Sequence, residues 1–388
     1  MSPCPTVLLN KNIRINHPWV FGRLLDKPSV RIPPGTVVDA INPDGSFAGR
    51  GFYNARARIG LRVLTTDQSE VVDAAFFAKR LQQAVQWRRD QGLLQPRAGV
   101  RLVHAEGDGL SGLVVDLFDD VLAIQFFSAG MFRQREVIKA ALQELFPAAA
   151  VYWFAEKRVQ KQESFDCWEM EAPSSVVIEE HGVKFHVAVG SKHKTGFFAD
   201  QRANRSLLAE LCAGKSVADL CCHTGGFALF AKLKGQATKV IGVDLDDDEA
   251  LPTARANAAL NGVDIEFLAA DVMDWLREAT KAKTTYDVLI LDPAKQTRSA
   301  EKIDEALSDY YHINRLAMPV VSPGGVLLSC SCSGLISEEQ FLGVIKQAAR
   351  DSGRQAQIFR LSGADIDHPF MAHVPEGRYL KAVWCRIS

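Results

Sequence analysis

The chain has 388 residues, of which 47% are hydrophobic and 23% charged, and its formal net charge is −1. This composition is typical of a globular protein with a buried core, and a prior of about 150 residues per domain predicts two or three domains. Because no apolar run approaches the ~20 residues of a membrane span and no basic-then-apolar segment begins the chain, the sequence argues against a membrane or secreted protein and predicts a cytoplasmic one.

Residues 1–70 are predicted to form a small β-domain, because Pro- and Gly-containing turns separate short β-prone runs such as 36–41 and 59–64. Within residues 1–66, nine Lys and Arg stand against three Asp, a local net charge of +6. Such a module can bind phosphates by releasing counterions, which suggests a nucleic-acid partner. A solvated basic surface without a partner explains the charge equally well.

Residues 71–189 are predicted to form a mixed α/β region. Apolar periodicity, β-prone runs and a His181-Gly182 turn define its elements. These are a helix over 70–92, strands over 113–118 and 121–127, a helix near 133–145, a strand near 151–155 and a hairpin over 176–189.

Residues 190–388 are predicted to form an α/β, Rossmann-like domain, because strands and helices alternate from residue 200 onwards. This alternation favours a parallel sheet with helices on both faces and a ligand beyond the carboxyl ends of the strands. Helices are expected over 249–260 and 337–350, the second with a capping-box start at Ser337. Predicted strands are 216–221, 240–244, 265–269, 288–291 and 326–330.

Four of these strand ends carry acidic residues or glycines. The first strand contains Asp219 and leads into a turn with Gly225, and the next ends at Asp244, which can accept hydrogen bonds from ribose hydroxyls. Asp271 could accept one from an adenine amino group, with Val272 beside the ring. Each feature alone has a structural explanation, but the ordered series is similar to the class I S-adenosylmethionine methyltransferase fold.

The main competitor for this architecture is a NAD-dependent enzyme. Such an enzyme would prefer a Gly-x-Gly-x-x-Gly turn with a diphosphate at the helix N-terminus. Cys221 and His223 stand where two of those glycines would be expected, so the sequence disfavours this alternative.

Two cysteines, Cys330 and Cys332, lie at the end of the predicted fifth strand, next to the expected ligand. A thiolate that adds to C6 of cytosine makes C5 nucleophilic enough to accept a methyl group, and an activated thiol is needed for this addition. Asp292, at the end of the fourth strand, could hydrogen-bond the N3/amino edge of the base. A buried structural cysteine pair and a carboxylate without an acid–base role are the alternatives.

The other cysteines give no sign of a metal site. None of the eight is spaced Cys-x-x-Cys, and without a secretion signal we expect reduced thiols, most of them small core residues.

Methylation of an exocyclic amino group is a further alternative. Enzymes of that kind typically carry Asp/Asn-Pro-Pro followed by an aromatic residue, whereas this chain reads Asp292-Pro293-Ala294-Lys295. The missing proline and aromatic residue disfavour amino methylation, and Cys332 favours carbon methylation.

Over nearly its whole length the chain resembles the large-subunit ribosomal RNA methyltransferase I family, cytosine-C5 methyltransferases with an N-terminal PUA domain. The 194–202 run and Ser331-Cys332-Ser333-Gly334-Leu335 are the most specific matches. The family usually has Asp-Pro-Pro-Lys where this chain has Ala294, and its glycine loop also differs around Cys222. Residues that carry the resemblance lie at 17–21, 105–112, 179–182, 192–202, 224–227, 331–335 and 375–381.

The resemblance implies that residues 1–70 bind RNA, with large-subunit ribosomal RNA as substrate, and that Cys332 rather than Cys330 is the nucleophile, assisted by Asp292. It implies S-adenosyl-L-methionine as cofactor, with the 194–202 run approaching it. Together with the strand-end argument, it predicts a cofactor site of Phe198, Gln201, Asp219, Thr224, Gly225, Asp244, Asp271, Val272 and Asp292.

Several alternatives stay open at this point. The enzyme could act on another nucleotide or a small molecule, and the chain could be a non-catalytic RNA-binding relative. His193 and His223 have acid–base interpretations, although a structural role is the more common one for such residues. The sequence leaves open whether the protein forms a homodimer.

Overall fold

The computed structural model describes residues 4–168, 170–173, 175–190, 195–297 and 299–388. The chain divides into two compact units, each built from three segments. The first unit contains Met1–Ile178, Val187–Phe197 and Ile366–Gly377, and the second contains Glu179–His186, Phe198–Asp365 and Arg378–Ser388. The predicted division at residues 70 and 189 stays a prediction, because compactness does not show which parts fold independently.

The first unit begins with the predicted small β-domain, a five-stranded sheet in the order β1-β3-β4-β5-β2. Of its strand pairs, β1 with β3 is parallel and the others are antiparallel. Val38, Ala40 and Leu61 are fully buried in the core of this sheet. The strands are β1 (Thr6–Leu8), β2 (Trp19–Phe21), β3 (Thr36–Ile41), β4 (Phe47–Tyr53) and β5 (Ile59–Thr65).

A second, four-stranded sheet follows in the order β6-β7-β8-β9. Helix α1 (Ala74–Asp90) begins where the Asp73 side chain accepts a hydrogen bond from the Phe76 amide. The other elements are β6 (Gly99–His104), β7 (Leu113–Phe118), β8 (Val121–Phe126), α2 (Ala129–Arg133), α3 (Arg135–Leu145), β9 (Ala150–Phe154) and α4 (Lys157–Glu163).

This region differs from the sequence prediction in three places, one of which is the short helix α4, which was not predicted. The predicted helix near 133–145 is α3, preceded by the short α2, whose N-terminus is capped by Ser128. Strand β6 was not predicted, because Arg101 interrupts its apolar pattern; the Arg101 guanidinium is buried through a two-bond contact with Asp116 on β7. Phe52 and Leu64 from the first sheet share the core cluster of the second.

The predicted hairpin is β10 (Val176–Glu180) and β11 (Val183–Val187). His181 and Gly182 at its turn have φ values of 50° and 80°, as a tight hairpin turn requires.

The second unit contains a seven-stranded sheet in the order β14-β13-β12-β15-β16-β18-β17. Its elements alternate as predicted. They are α5 (Arg202–Ala209), β12 (Ser216–Leu220), α6 (Gly226–Leu233), β13 (Lys239–Asp244), α7 (Ala250–Leu260), β14 (Glu266–Ala269), α8 (Val272–Lys281), β15 (Tyr286–Leu291), α9 (Ile303–Ala317), β16 (Val321–Ser331), α10 (Glu338–Asp351), β17 (Ala356–Ser362) and β18 (Lys381–Ile387).

The five predicted strands run parallel to one another, which confirms the expected parallel sheet. Strands β17 and β18 were not predicted, and β18 runs antiparallel to both β16 and β17. The capping box at Ser337 is confirmed, with reciprocal hydrogen bonds to Gln340. After β14 the chain crosses over β12 to form β15, which makes the carboxyl end of β12 the switch point of the sheet. Among the described residues, no helix combines the length and apolarity needed to span a membrane.

Candidate active site

The strand register brings the predicted strand-end residues to one edge of the second unit. Leu220, the last residue of β12, pairs with Val243 on one side and Leu291 on the other, and Leu291 pairs with Ser329. The chain therefore leaves β12, β13, β15 and β16 at neighbouring points of the same edge. We call Asp219, Asp244, Asp271 and Asp292 the acidic edge.

The loop after β12 has an unusual backbone. Cys221, His223 and Gly225 have φ values of 61°, 49° and 80°, so every second residue is in the left-handed region. For the two non-glycine residues this conformation costs free energy, and such strain clusters at ligand-binding sites. A Cβ on Gly225 would lie 3.0 Å from the Phe267 ring. Cys221 and His223 thus adopt conformations usually taken by glycine.

Asp219 lies fully buried behind this loop. Its Oδ2 accepts a hydrogen bond from the Ala228 amide at 2.9 Å, whereas Oδ1 has no hydrogen-bond partner among the residues that the structure describes. Burial, and then the charges of Asp292 and Asp244, raise the pKa of Asp219 to about 8. A ligand that donates an N–H or O–H to Oδ1 would satisfy this atom.

Asp244 is half-buried and held from both sides. Its Oδ2 accepts from the His223 amide at 2.8 Å and its Oδ1 from the Asp246 amide at 3.0 Å. Each carboxylate oxygen keeps a further lone pair, so a fixed, bidentate acceptor for two hydroxyls can form here.

Asp271 and Val272 also serve local structure. Asp271 is exposed and caps α8 through Oδ1, which accepts from the Asp274 amide at 3.0 Å. Val272 is only 8% exposed and belongs to the core cluster of this unit. Their predicted roles beside a cofactor stay predictions.

Asp292 is oriented by Gln201, whose Nε2 donates to Asp292 Oδ2 at 2.9 Å. Asn204 fixes the Gln201 amide, because its Nδ2 donates to Gln201 Oε1 at 2.6 Å. Gln201 therefore presents its donor to Asp292, which acts as an acceptor.

Phe198 and Thr224 lie in the same unit. The Phe198 ring packs edge-on against His223, with ring centroids 4.8 Å apart, and the Thr224 carbonyl accepts from Asn257. Lys194 of the predicted cofactor run and His193 of the acid–base hypothesis lie outside the described residues.

The two cysteines at the end of β16 differ in exposure. Cys330 is fully buried, whereas Cys332 follows the last strand residue and is partly exposed. Cys332 Sγ lies 3.9 Å from the carbonyl oxygen of Pro293, next to Asp292. The Gln296 amide donates to Ser333 Oγ at 3.2 Å, so the loops that carry Asp292 and Cys332 are joined. The structure thus places the loops that carry the two predicted catalytic residues next to each other.

Sequence reasoning missed Lys381, although it lies within a motif that carried the resemblance. Its side chain is buried on β18 beside the Cys332 loop. A lysine in an otherwise apolar strand, Lys-Ala-Val-Trp-Cys, was the available signal.

Comparison with known proteins agrees with this geometry. Residues 100–380 match the S-adenosylmethionine-dependent methyltransferase family, and residues 9–66 match a PUA-like domain. The chain is 38% identical over 387 residues to the ribosomal RNA large subunit methyltransferase I of Photobacterium profundum, covering 97% of both proteins. The Aeromonas salmonicida protein of the same name is 40% identical over 384 residues, which cover 97% of this chain and 96% of that protein.

Solved structures with the same fold are more distant in sequence. A Streptococcus mutans protein assigned as a SAM-dependent methyltransferase superposes with a TM-score of 0.82 at 20% identity, covering 98% of this chain and 100% of that one. A second structure, solved in complex with SAH, has a TM-score of 0.82 at 21% identity and covers 98% and 99% of the two chains. At this identity the likeness shows the fold.

Proposed function

The chain belongs to the S-adenosylmethionine-dependent methyltransferase family that includes ribosomal RNA large subunit methyltransferase I, and from this premise we propose that it forms 5-methylcytosine in large-subunit ribosomal RNA. Its methyl donor is S-adenosylmethionine. The observation that carries the proposal is the partly exposed Cys332, whose Sγ lies 3.9 Å from the carbonyl oxygen of Pro293, the residue after Asp292, at the edge where this fold binds its ligand.

The acidic edge fits this cofactor. The unsatisfied Asp219 Oδ1 needs a donor, and the fixed Asp244 carboxylate can accept from the two ribose hydroxyls. We propose that Gly225 and Thr224 let the loop after β12 approach the cofactor, and that Phe198, Gln201, Asp271, Val272 and Asp292 complete the site. When bound, S-adenosylmethionine supplies an electrophilic methyl group.

The residues of this chain would then prepare the base. The Cys332 thiolate adds to C6 of cytosine, and the electrons of the C5–C6 double bond move so that C5 becomes nucleophilic. Asp292, kept as an acceptor by Gln201, hydrogen-bonds the amino edge and fixes the ring. After methylation, loss of the C5 proton restores the double bond and expels Cys332.

The substrate class is proposed from the relatives' names and from the N-terminal region. Of its basic residues, Arg50 pairs with Asp39 and Arg62 with Glu163, and these serve the fold. Seven others are exposed and remain for phosphates: Lys11, Arg14, Arg23, Lys27, Arg31, Arg56 and Arg58. We also propose a cytoplasmic location, because ribosomal RNA is the proposed substrate.

Mass spectrometry of nucleosides tests this proposal. Large-subunit ribosomal RNA is incubated with the full chain and methyl-labelled cofactor, then digested to nucleosides. We expect labelled 5-methylcytidine. A different labelled nucleoside would replace cytosine C5 as the target, and an unlabelled RNA with demonstrable cofactor binding would favour a small-molecule substrate.

A further inference from the structure

Lys381 lies beside the proposed nucleophile because of the pairing between β16 and β18. It stands opposite Ser331, the residue that precedes Cys332, in the antiparallel register. Its side chain is buried, with 3% of the residue exposed. The ammonium of this lysine is therefore held at the carboxyl end of β16.

All three N–H groups of Lys381 have backbone acceptors. Nζ donates to the carbonyl oxygens of Ser333 at 2.6 Å, Ile336 at 2.8 Å and Tyr379 at 2.8 Å. Two of these carbonyls belong to the loop that follows Cys332. Lys381 thus holds this loop in position, and the three acceptors of its ammonium are all neutral carbonyl groups.

A buried ammonium with only neutral hydrogen-bond partners is costly unless an anion lies nearby. Cys332 and Glu338 are the neighbours that can provide one, and the negative form of Cys332 raises the pKa of Lys381 more than Glu338 does. Burial acts in the opposite direction and more strongly, lowering that pKa to about 8. Lys381 therefore remains largely charged at neutral pH, and a Cys332 thiolate beside it would stabilise that charge.

Other charged and titratable groups face this pair. Lys295, Arg378 and Glu338 act on Lys381, with the glutamate favouring its charge and the two cations opposing it. On the side of Cys332 lie Asp292, Tyr310 and Cys330.

We propose that Lys381 is a positioning residue for Cys332, which holds the nucleophile's loop in place and favours the thiolate form of its side chain. The inference deepens the proposed function, since it names the cation that prepares the attacking sulfur. It needs no external reactant, because the only change is transfer of the thiol proton to solvent.

Alkylation of Cys332 by iodoacetamide tests this proposal in the full chain. The rate is measured from pH 6 to 10 by peptide mass spectrometry in wild type, Lys381→Gln and Lys381→Arg. Glutamine keeps two N–H donors for the carbonyls but removes the charge, whereas arginine keeps the charge. We expect Lys381→Gln to raise the midpoint of alkylation by about one pH unit or more and Lys381→Arg to stay closer to wild type.

Arg354→Gln is the matched control. Arg354 also donates to three backbone carbonyls, those of Met318, Val321 and Ser388, but at the other end of β16 and β18. Its substitution should leave the Cys332 midpoint unchanged. Equal midpoints in wild type and Lys381→Gln, or an equal shift in Arg354→Gln, would overturn the proposal.

Two features keep this result decisive. If Lys381→Gln does not fold, wild type and Lys381→Arg still test the proposal, since a charge-retaining arginine should keep the Cys332 midpoint near that of wild type, and a midpoint raised by about one pH unit or more in Lys381→Arg would overturn it. Alkylation also needs no RNA. A shifted midpoint in Lys381→Gln without formation of 5-methylcytidine would contradict the proposed function but support the role of Lys381. Formation of 5-methylcytidine with an unshifted midpoint would support the proposed function but overturn the role of Lys381.

Discussion

Two clusters of charged side chains differ in their balance of positive and negative groups. In the first unit, Arg88 makes two contacts with Asp108, at 2.6 and 2.9 Å, and Arg101 makes two with Asp116, both at 2.8 Å. The acidic edge of the second unit instead collects carboxylates. That unit also contains a buried arginine–carboxylate contact, Arg205 with Glu180.

This difference in charge balance distinguishes residues that stabilise the fold from residues that we propose bind a ligand. A buried guanidinium with a carboxylate on both nitrogens satisfies both charges internally. Burial, and then its like-charged neighbours, raise the pKa of Asp219 to about 8, and its Oδ1 has no hydrogen-bond partner among the described residues. The predictions below test this contrast, beginning with the largest expected effect.

Cys332→Ala should lower methylation by about 10⁴-fold or more, because it removes the atom that forms a bond to the base. Cofactor affinity, measured by calorimetry, should stay close to wild type, since the acidic edge is intact. Cys330→Ala is the matched control and should keep most of its turnover. Equal activity of wild type and Cys332→Ala would refute the nucleophile assignment.

Arg88→Met should destabilise the protein by about 3–5 kcal/mol, because Asp108 would be left as an uncompensated buried charge. Urea unfolding measures this change. Cofactor affinity of the folded protein should not change. Arg89→Met, an exposed neighbour on α1, should cost less than about 0.5 kcal/mol, and similar losses for both variants would contradict the contrast.

Asp244→Asn should weaken S-adenosylmethionine binding about 10- to 100-fold, because one charged acceptor becomes a neutral one. Calorimetry measures the affinity. The control is Asp247→Asn, an exposed carboxylate in the same loop that pairs with Arg255. A wild-type affinity for Asp244→Asn would remove this residue from the site.

Asp219 should make the ligand-free protein less stable as pH rises. Its folded-state pKa of about 8 exceeds the ordinary value of 3.8, so the destabilisation from its ionisation is absent below about pH 4, grows between these values and is complete above pH 8. Asp219→Asn should reduce the change in the free energy of unfolding between pH 4 and 9 by at least about 1 kcal/mol. Thermal melts from pH 4 to 9 provide the comparison, and parallel curves would argue against the raised pKa.

The exposed basic residues of the first sheet should contribute modestly to RNA affinity. Changing Lys27 and Arg31 to Ala should lower the salt dependence of binding by about two units of slope if both contact phosphates. Filter binding at several salt concentrations measures the slope. Since neither residue touches the core, methylation of saturating RNA should persist, and an unchanged slope would place the RNA elsewhere.

The sequence predicted those parts that depend on local pattern. Apolar runs with acidic ends located β12, β13, β14 and β15, and the Ser337 capping box was readable from four consecutive residues. It did not predict the antiparallel β18, because strand direction depends on where the chain returns. The pairing of Gln201 with Asp292, 91 positions apart, is long-range in the same sense.

The loop that carries Cys332 also shows what the sequence alone could not predict. Cys330 and Cys332 are two positions apart, so strand alternation does not distinguish them, and the choice of Cys332 followed from a family resemblance. The structure adds that Cys330 is fully buried and Cys332 partly exposed. Lys381 escaped notice because its three acceptors are backbone carbonyls, which no sequence motif displays.

A covalent adduct would test the central claim most directly. Large-subunit ribosomal RNA containing 5-fluorocytidine is incubated with cofactor and enzyme, because fluorine at C5 prevents the proton loss that releases the cysteine. The account predicts that peptide mass spectrometry finds the base attached to Cys332 in wild type and in Cys330→Ala, and finds no adduct in Cys332→Ala. An adduct on another residue, or none under conditions in which cytidine is methylated, would contradict it.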